Sequence, residues 1–276
     1  MQESVLIDGQ AAEAAWIRDR GFQFGDGLFE TIAFRDGGPC LWEGHVDRLL
    51  DGCTRLGLVA PPVELLHAEC MQLCAGLDRA VLKLYITAGD SERGYRRPDT
   101  VACRRILQRS NWPYLIDRPS WRVRICRQRV GENPALAGIK HLNRLEQVLA
   151  RAECDDAATD EGVMLGQDGR VVSGTMSNLF AQFGGVLVTP RIDGAGIAGV
   201  VRRLIIELGR QHGWEVREDR VDPDKLRSAD ALFMTNSLVG IARVVSLDDT
   251  ELDQTVPVHP AIDAARALSH VPGAAS

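Results

Sequence analysis

The chain has 276 residues, a mass of 30.2 kDa and a net charge of −6. Apolar residues make up 45% and charged residues 25%, a balance that excludes a disordered or fibrous chain and permits a sizeable buried core. The acidic balance excludes the basic stripe of a nucleic-acid binder. No uncharged apolar run approaches the ~18 residues of a membrane span. Glu3, Asp8 and Glu13 precede the first arginine, Arg18, unlike a secretory signal, so the cytoplasm is the expected compartment.

Residues 4–42 read as short strands with tight turns, with Phe29 to Phe34 the most β-rich run and Asp36-Gly37-Gly38-Pro39 a turn. Glu43 to Leu56 reads as a helix with Val46, Leu49, Leu50, Cys53 and Leu56 as its apolar stripe and Gly57 past its end. Pro62 opens a second helix carrying Leu65, Leu66 and Leu73. Strands are expected over Val81 to Thr87 and Val101 to Leu107. Ser110 to Ser120 holds Pro113 and Pro119 without a clean period. A linker is therefore placed at 110–120, between an N-terminal domain at 1–109 and a C-terminal one at 121–276.

Trp121 to Val130 follows as a strand and Gly131 to Ile139 as a loop. A helix is expected from Asn143 to Ala157, with Leu142, Leu145, Val148, Leu149 and Ala152 on one face and Arg144, Gln147 and Arg151 on the other. Two hairpins are expected, one turning at Asp168-Gly169, the other joining Asn178–Phe183 to Val186–Thr189. Gly199 to His212 is amphipathic, with Val200, Val201, Leu204, Ile205 and Leu208 inward. Strands at Val216 to Glu218, Ala231 to Thr235 and Ile241 to Leu247 and a short helix near Ile262 to Leu268 complete the chain. Strands and hairpins mixed with helices, without βαβ alternation, make an α+β fold of two domains of mixed sheets with helices.

The seven cysteines include no CxxC pair. Buried reduced thiols are expected, and no metal site. The basic residues are 29 arginines and only three lysines: Lys83, Lys140 and Lys225. Guanidinium stays protonated and is no nucleophile, so each lysine is a candidate for amine chemistry. Lys83 reads as the less buried face of a strand, Lys225 as solvated. Lys140 sits in Leu-Ala-Gly-Ile-Lys-His-Leu-Asn, at a loop-to-helix junction among apolar neighbours. Partial desolvation there lowers a lysine pKa and frees the amine. A lysine snorkelling from a helix start is the competing reading, and position alone leaves both open.

Gly194-Ala195-Gly196-Ile197-Ala198-Gly199 runs into a helix start, which suits a phosphate or is a plain flexible turn. Thr235-Asn236-Ser237 ends an apolar strand and offers donors to the same anion. Arg48, beside the apolar stripe of its helix, is a third phosphate ligand or a surface arginine.

Several motifs together resemble the fold type IV family of pyridoxal-phosphate enzymes, which includes the aminodeoxychorismate lyases and the branched-chain and D-amino acid aminotransferases. GIKHLNRLEQVLAR (Gly138 to Arg151) is similar to the segment carrying the cofactor lysine in the lyases. FGDGLFETI resembles the family's N-terminal hairpin. HVDRL, with His45 and Arg48, resembles the pattern whose arginine holds the cofactor phosphate. SGTMSNLF resembles the strand passing the pyridine ring, GIAGVVR the phosphate-binding helix start and TNSLVGI the last cofactor loop.

The resemblance implies pyridoxal 5'-phosphate as cofactor, held as an imine by Lys140, which also shuttles a proton. It implies that Arg48, Val200, Val201, Ser237 and Leu238 bind phosphate, that Met176 and Ser177 lie beside the cofactor, and that Asn143 orients groups near the ring. Arg93 and Tyr95, in an RGY motif, are the candidates for substrate carboxylates. The implied reaction converts 4-amino-4-deoxychorismate to 4-aminobenzoate and pyruvate, serving folate synthesis. The alternative is an aminotransferase acting on D-amino or branched-chain amino acids. A homodimer binding a small molecule, with no nucleic acid or membrane partner, is implied as well. One position departs from the family: Ser173 stands where a glutamate usually faces the pyridine nitrogen.

Overall fold

The structure, a computed structural model, describes residues 6–7, 10–11, 15–92, 94–99, 102–112, 120–154 and 158–272. Arg93, most of the 110–120 segment and the last four residues lie outside the described residues.

The chain opens with a two-stranded ribbon, β1 (Leu6–Ile7) and β2 (Gln10–Ala11), a 3-10 turn at Ala15–Arg18, and the short helix α1 (Arg20–Phe24). Then come β3 (Gly27–Arg35), β4 (Gly38–Pro39), α2 (Trp42–Leu56), α3 (Val63–Leu73), β5 (Arg79–Thr87) and β6 (Arg104–Ser110). These four strands make a wholly antiparallel sheet in the order β4-β3-β5-β6. Alternation along β3 turns Leu28, Ile32 and Phe34 inward, where they pack with Val46, Leu49 and Cys53 of α2, Leu66 and Cys70 of α3, and Leu82, Leu84 and Ile86 of β5. The α2 stripe matches the sequence expectation, and Gly57 ends that helix in the left-handed conformation a glycine accepts without strain, φ 62°.

The second half runs β7 (Ser120–Val130), α4 (Leu145–Ala152), β8 (Glu161–Gly166), β9 (Val171–Gly174), β10 (Asn178–Phe183), β11 (Val186–Pro190), α5 (Val200–His212), β12 (Val216–Asp219), α6 (Pro223–Arg227), β13 (Ala231–Asn236), β14 (Gly240–Leu247), β15 (Thr250–Glu251) and α7 (Pro260–Leu268). Its strands form one mixed sheet, β12-β11-β10-β13-β14-β7-β8-β9, with β15 on the flank of β14. β7 runs parallel to both β14 and β8. One face packs Val163, Leu179, Leu232 and Val244 together; the other receives α5 and α7 through Val201, Ile205, Phe233 and Ile262.

Two expectations need correction. The described part of α4 starts later and ends sooner than Asn143 to Ala157; its apolar face is the open one, with Leu145, Val148 and Leu149 70%, 60% and 50% exposed and Ala150 the buried residue. Finally, α1 and the preceding 3-10 turn interrupt a stretch expected to be strand and turn only. All seven cysteines are free, six of them buried. Among the described residues no three His, Cys, Asp or Glu side chains cluster to hold a metal, and no helix is long and apolar enough to cross a membrane.

Candidate active site at the seam of the two sheets

Between β7 and α4 the chain crosses back to the first sheet. Ile139 packs into the first core. The Phe29 amide donates to the Lys140 carbonyl at 3.0 Å and the Leu142 amide to the Gly27 carbonyl at 3.0 Å, so Lys140 is pinned beside the start of β3. On its other side the segment is tied to the glycine-rich loop. The Gly138 amide donates to Gly196 at 2.9 Å and the Ala198 amide to Gly138 at 3.1 Å. Gly138 and Gly196 have φ of 86° and 94°, which an L side chain rarely adopts. Asn143 tightens the junction by donating to the Gly25 carbonyl at 3.1 Å.

This placement determines the state of the amine. The Lys140 Nζ lies 4.2 Å from the centroid of the Phe29 ring. Burial and then the Arg48 guanidinium push the Lys140 pKa down to about 7, against the pull of Glu30. A large share of the amine is therefore neutral near pH 7. Lys83 lies half-buried on β5, and Lys225 is exposed. Of the three lysines, Lys140 alone has the desolvated surroundings of a nucleophile.

Arg48 is no surface arginine. Its Nε donates to Glu30 Oε1 at 2.8 Å, its Nη2 to Glu30 Oε2, and its Nη1 to the Ala198 carbonyl at 2.9 Å, in the loop before α5. α5 opens at Gly199 without a side-chain cap, leaving its first amides to other acceptors. A Cβ at Gly199 would overlap Oδ1 of Asn178, whose Nδ2 donates to the Ile197 carbonyl at 2.9 Å. Glycine is needed there for close approach.

The remaining candidates gather in two loops. The Ser237 hydroxyl donates to the Thr31 carbonyl at 2.6 Å, joining the β13–β14 turn to β3. The Leu238 amide donates to Asn236 Oδ1 at 2.9 Å. In the β9–β10 turn Met176 is 53% exposed, whereas Ser173 and Ser177 are buried. The Ser173 hydroxyl donates to the Gly174 carbonyl at 2.8 Å. Tyr95 is 84% exposed and stacks edge-on against Phe24, 5.3 Å between centroids.

Two carboxylates escaped the sequence reading. Glu30 sits on the buried face of β3, in a row otherwise made of Leu28, Ile32 and Phe34. Glu161, fully buried on β8, accepts from the amides of Gly162 at 2.8 Å and Thr175 at 3.1 Å, and from the hydroxyls of Thr175 and of Ser177, the latter at 2.8 Å. The available signal was an acid at an inward strand position, which requires a partner.

Residues 27–247 match the model of the amino-transferase class IV family. The chain belongs to that family. The family's enzymes depend on pyridoxal 5'-phosphate. Aminodeoxychorismate lyase of Vibrio harveyi is 34% identical over 85% of this chain and 89% of its own. The crystal structure of 4-amino-4-deoxychorismate lyase from Pseudomonas aeruginosa superposes with a TM-score of 0.81 at 40% identity, covering 94% of each chain. D-alanine aminotransferase of Bacillus licheniformis is 26% identical over 92% of this chain and 91% of its own. The α+β fold expected from the sequence is the fold of this family.

Proposed function

We propose that the chain is a pyridoxal-phosphate-dependent lyase that converts 4-amino-4-deoxychorismate to 4-aminobenzoate and pyruvate. The observation that carries this reading is Lys140: an amine whose pKa is pushed down to about 7, between β3 and an uncapped helix start, within a KHLNRLEQ segment like that of the lyases. The residues present fit the cofactor on three counts. The amine is depressed toward neutrality, the α5 start has no side-chain cap on its first amides, and Arg48 supplies a cation at that same mouth. In this reading Lys140 would hold the cofactor aldehyde, Arg48, Val200, Val201, Ser237 and Leu238 would bind its phosphate, and Ser173, Met176 and Ser177 would lie beside its ring. Arg93, Tyr95 and Asn143 are assigned toward the substrate.

When bound, the cofactor supplies an electron sink for the carbon bearing the substrate's amino group. The Lys140 amine would take the proton from C4 of the substrate and return it to the methylene carbon of the enolpyruvyl group, whose bond to the ring breaks so that it leaves as pyruvate. The gain of aromaticity drives the elimination. Phe29 shields the Nζ from water on one side, and the backbone bonds at residues 138, 140 and 142 keep its stem in place. Incubating the enzyme with aminodeoxychorismate tests the assignment. Equimolar pyruvate and 4-aminobenzoate are expected, with no amino transfer from D-alanine or a branched-chain amino acid to 2-oxoglutarate. Transfer without pyruvate release would establish the aminotransferase instead.

Ser173 bears on that choice. Its hydroxyl is engaged by the Gly174 carbonyl, so toward the ring it presents lone pairs and no charge. An aminotransferase needs a stronger sink than an elimination that ends in an aromatic ring. Ser173→Glu is expected to bring amino transfer, absent in the wild type, to a measurable rate and to leave pyruvate release within about twofold. A large gain in pyruvate release would show the serine to be a defect.

The same reading has two domains, 1–109 and 121–276, meeting at Lys140, in a cytoplasmic homodimer that supplies folate synthesis. The exposed apolar row Leu145, Val148 and Leu149 is a surface for the second copy. Sedimentation should give twice the chain mass, and Leu149→Lys with Val148→Glu should give the monomer. A monomeric wild type would remove the dimer.

A further inference from the structure

Glu30 lies at the centre of an arrangement that the family assignment leaves unexplained. It is 1% exposed, on the inward face of β3. A carboxylate there must be matched by donors, since an unpaired buried charge costs several kcal/mol. The i, i+3 spacing of His45 and Arg48 puts both on the face of α2 that covers β3. His45 Nδ1 donates to Glu30 Oε2 at 2.7 Å, and Arg48 approaches both carboxylate oxygens. This fork-to-fork pairing fixes the plane of the guanidinium. Only then does Arg48 Nη1 reach the Ala198 carbonyl, at 2.9 Å.

The histidine holds the third corner. Burial pushes the His45 imidazole down, against the pull of Glu30, so the ring is neutral and its one proton lies on Nδ1, facing the carboxylate. Among the described residues its buried Nε2 has no partner, as suits the aprotic nitrogen of that tautomer. The Glu30 carboxyl itself is held down at about 2, chiefly by Arg48 and His45 working against burial, so it stays charged throughout the working range.

We propose that Glu30 is a positioning residue of the active site: it orients Arg48 toward the mouth of α5 and supplies the negative charge that balances Lys140. The groups whose charges act on Lys140 are Arg48 and His45 on α2, Glu30 on β3, Arg144 before α4 and Lys83 on β5. Glu30 is the one acid in that set. Without it, the remaining groups of that set are cationic or neutral, and none of them balances the ammonium form. Arg48 would also be free to rotate away from Ala198.

This inference rests on reading Lys140 as the reactive amine, and the two fail separately. The full chain, freed of aldehyde by dialysis against cysteine, is labelled with trace acetic anhydride from pH 5 to 10. The labelling of the Lys140 peptide is then read by mass spectrometry. The wild-type midpoint is expected near about 7. Glu30→Gln is expected to lower it by about one unit, so that at pH 6 Lys140 reacts roughly fivefold faster than wild type. Arg48→Gln is expected to move it upward. Glu30→Asp keeps the charge but withdraws it by one methylene and is expected to fall between wild type and Glu30→Gln. It carries the test if Glu30→Gln does not fold. Loss of packing alone would not move these midpoints in opposite directions. An unchanged midpoint in the folded Glu30 variant overturns the proposal. Failure of Lys140 to capture pyridoxal phosphate would overturn the functional reading and leave the midpoints untouched.

Discussion

Replacing Lys140 with alanine is expected to lower pyruvate release by at least ~10³-fold while the protein stays folded. A positioned acid–base group alone is worth ~10²–10⁴-fold, and the same amine is assigned the attachment of the cofactor. The fold should tolerate the loss because the segment is held by main-chain bonds. The Phe29 amide meets the Lys140 carbonyl and the Leu142 amide meets Gly27, whatever the side chain. Stability carries a signature of its own. The Lys140 pKa is about 7 in the folded chain and about 10.4 in an unfolded one. Between those values the unfolded chain binds the extra proton, so wild-type stability rises with pH across that window and the burial penalty is complete below about 7. Lys140→Ala removes that term. Relative to wild type, the variant should therefore look better in thermal melts at pH 6 than at pH 9. A variant that retains even a tenth of wild-type turnover would contradict the role given to this amine.

Removing the Glu161 carboxylate is expected to be the most damaging single change to stability. Glu161→Ala strands the Thr175 and Gly162 amides and the Thr175 and Ser177 hydroxyls inside the protein. Each buried donor left without an acceptor costs about 1–3 kcal/mol, and the change also leaves a cavity. A loss of about 4 kcal/mol is expected, which for a chain of this size lowers Tm by roughly 10 °C. Activity should fall further than stability accounts for, because the turn that Glu161 organises carries Met176 and Ser177. Glu161→Gln keeps the volume and one carbonyl acceptor and should cost less than half as much. A Tm drop under ~3 °C for Glu161→Ala in calorimetry would show that water replaces the lost acceptor.

Much of this architecture was readable along the chain, for identifiable reasons. α2 and α5 carry full apolar stripes ended by Gly57 and Gly213 in left-handed conformations, so their period and stop signals agree. The Asp168-Gly169 and Gly184-Gly185 turns set the register of their hairpins. Lys140 stood out because arginine fills nearly every other basic position.

What escaped depends on contacts between distant segments. The apolar stripe of α4 has helical period, but periodicity reports that a face is apolar, not what covers it. Leu145, Val148 and Leu149 turned out to face outward. Glu30 and Glu161 look like ordinary strand acids until β3 is laid under α2 and β8 under the β9–β10 turn. Their partners lie 15 and 18 residues away for His45 and Arg48, and 14 and 16 for Thr175 and Ser177. Arg48 could be read as a surface arginine for the same reason. Its carbonyl partner, Ala198, is 150 residues further along. Arg93 lies outside the described residues, and Tyr95 faces solvent beside Phe24.

The central claim is that one desolvated amine, Lys140, captures the cofactor aldehyde. Incubation with pyridoxal phosphate, borohydride reduction and peptide mapping tests it directly. A single stable adduct is expected, on the peptide bearing Lys140, with Lys83 and Lys225 unmodified. An adduct on either of those lysines, or none at all, would contradict it.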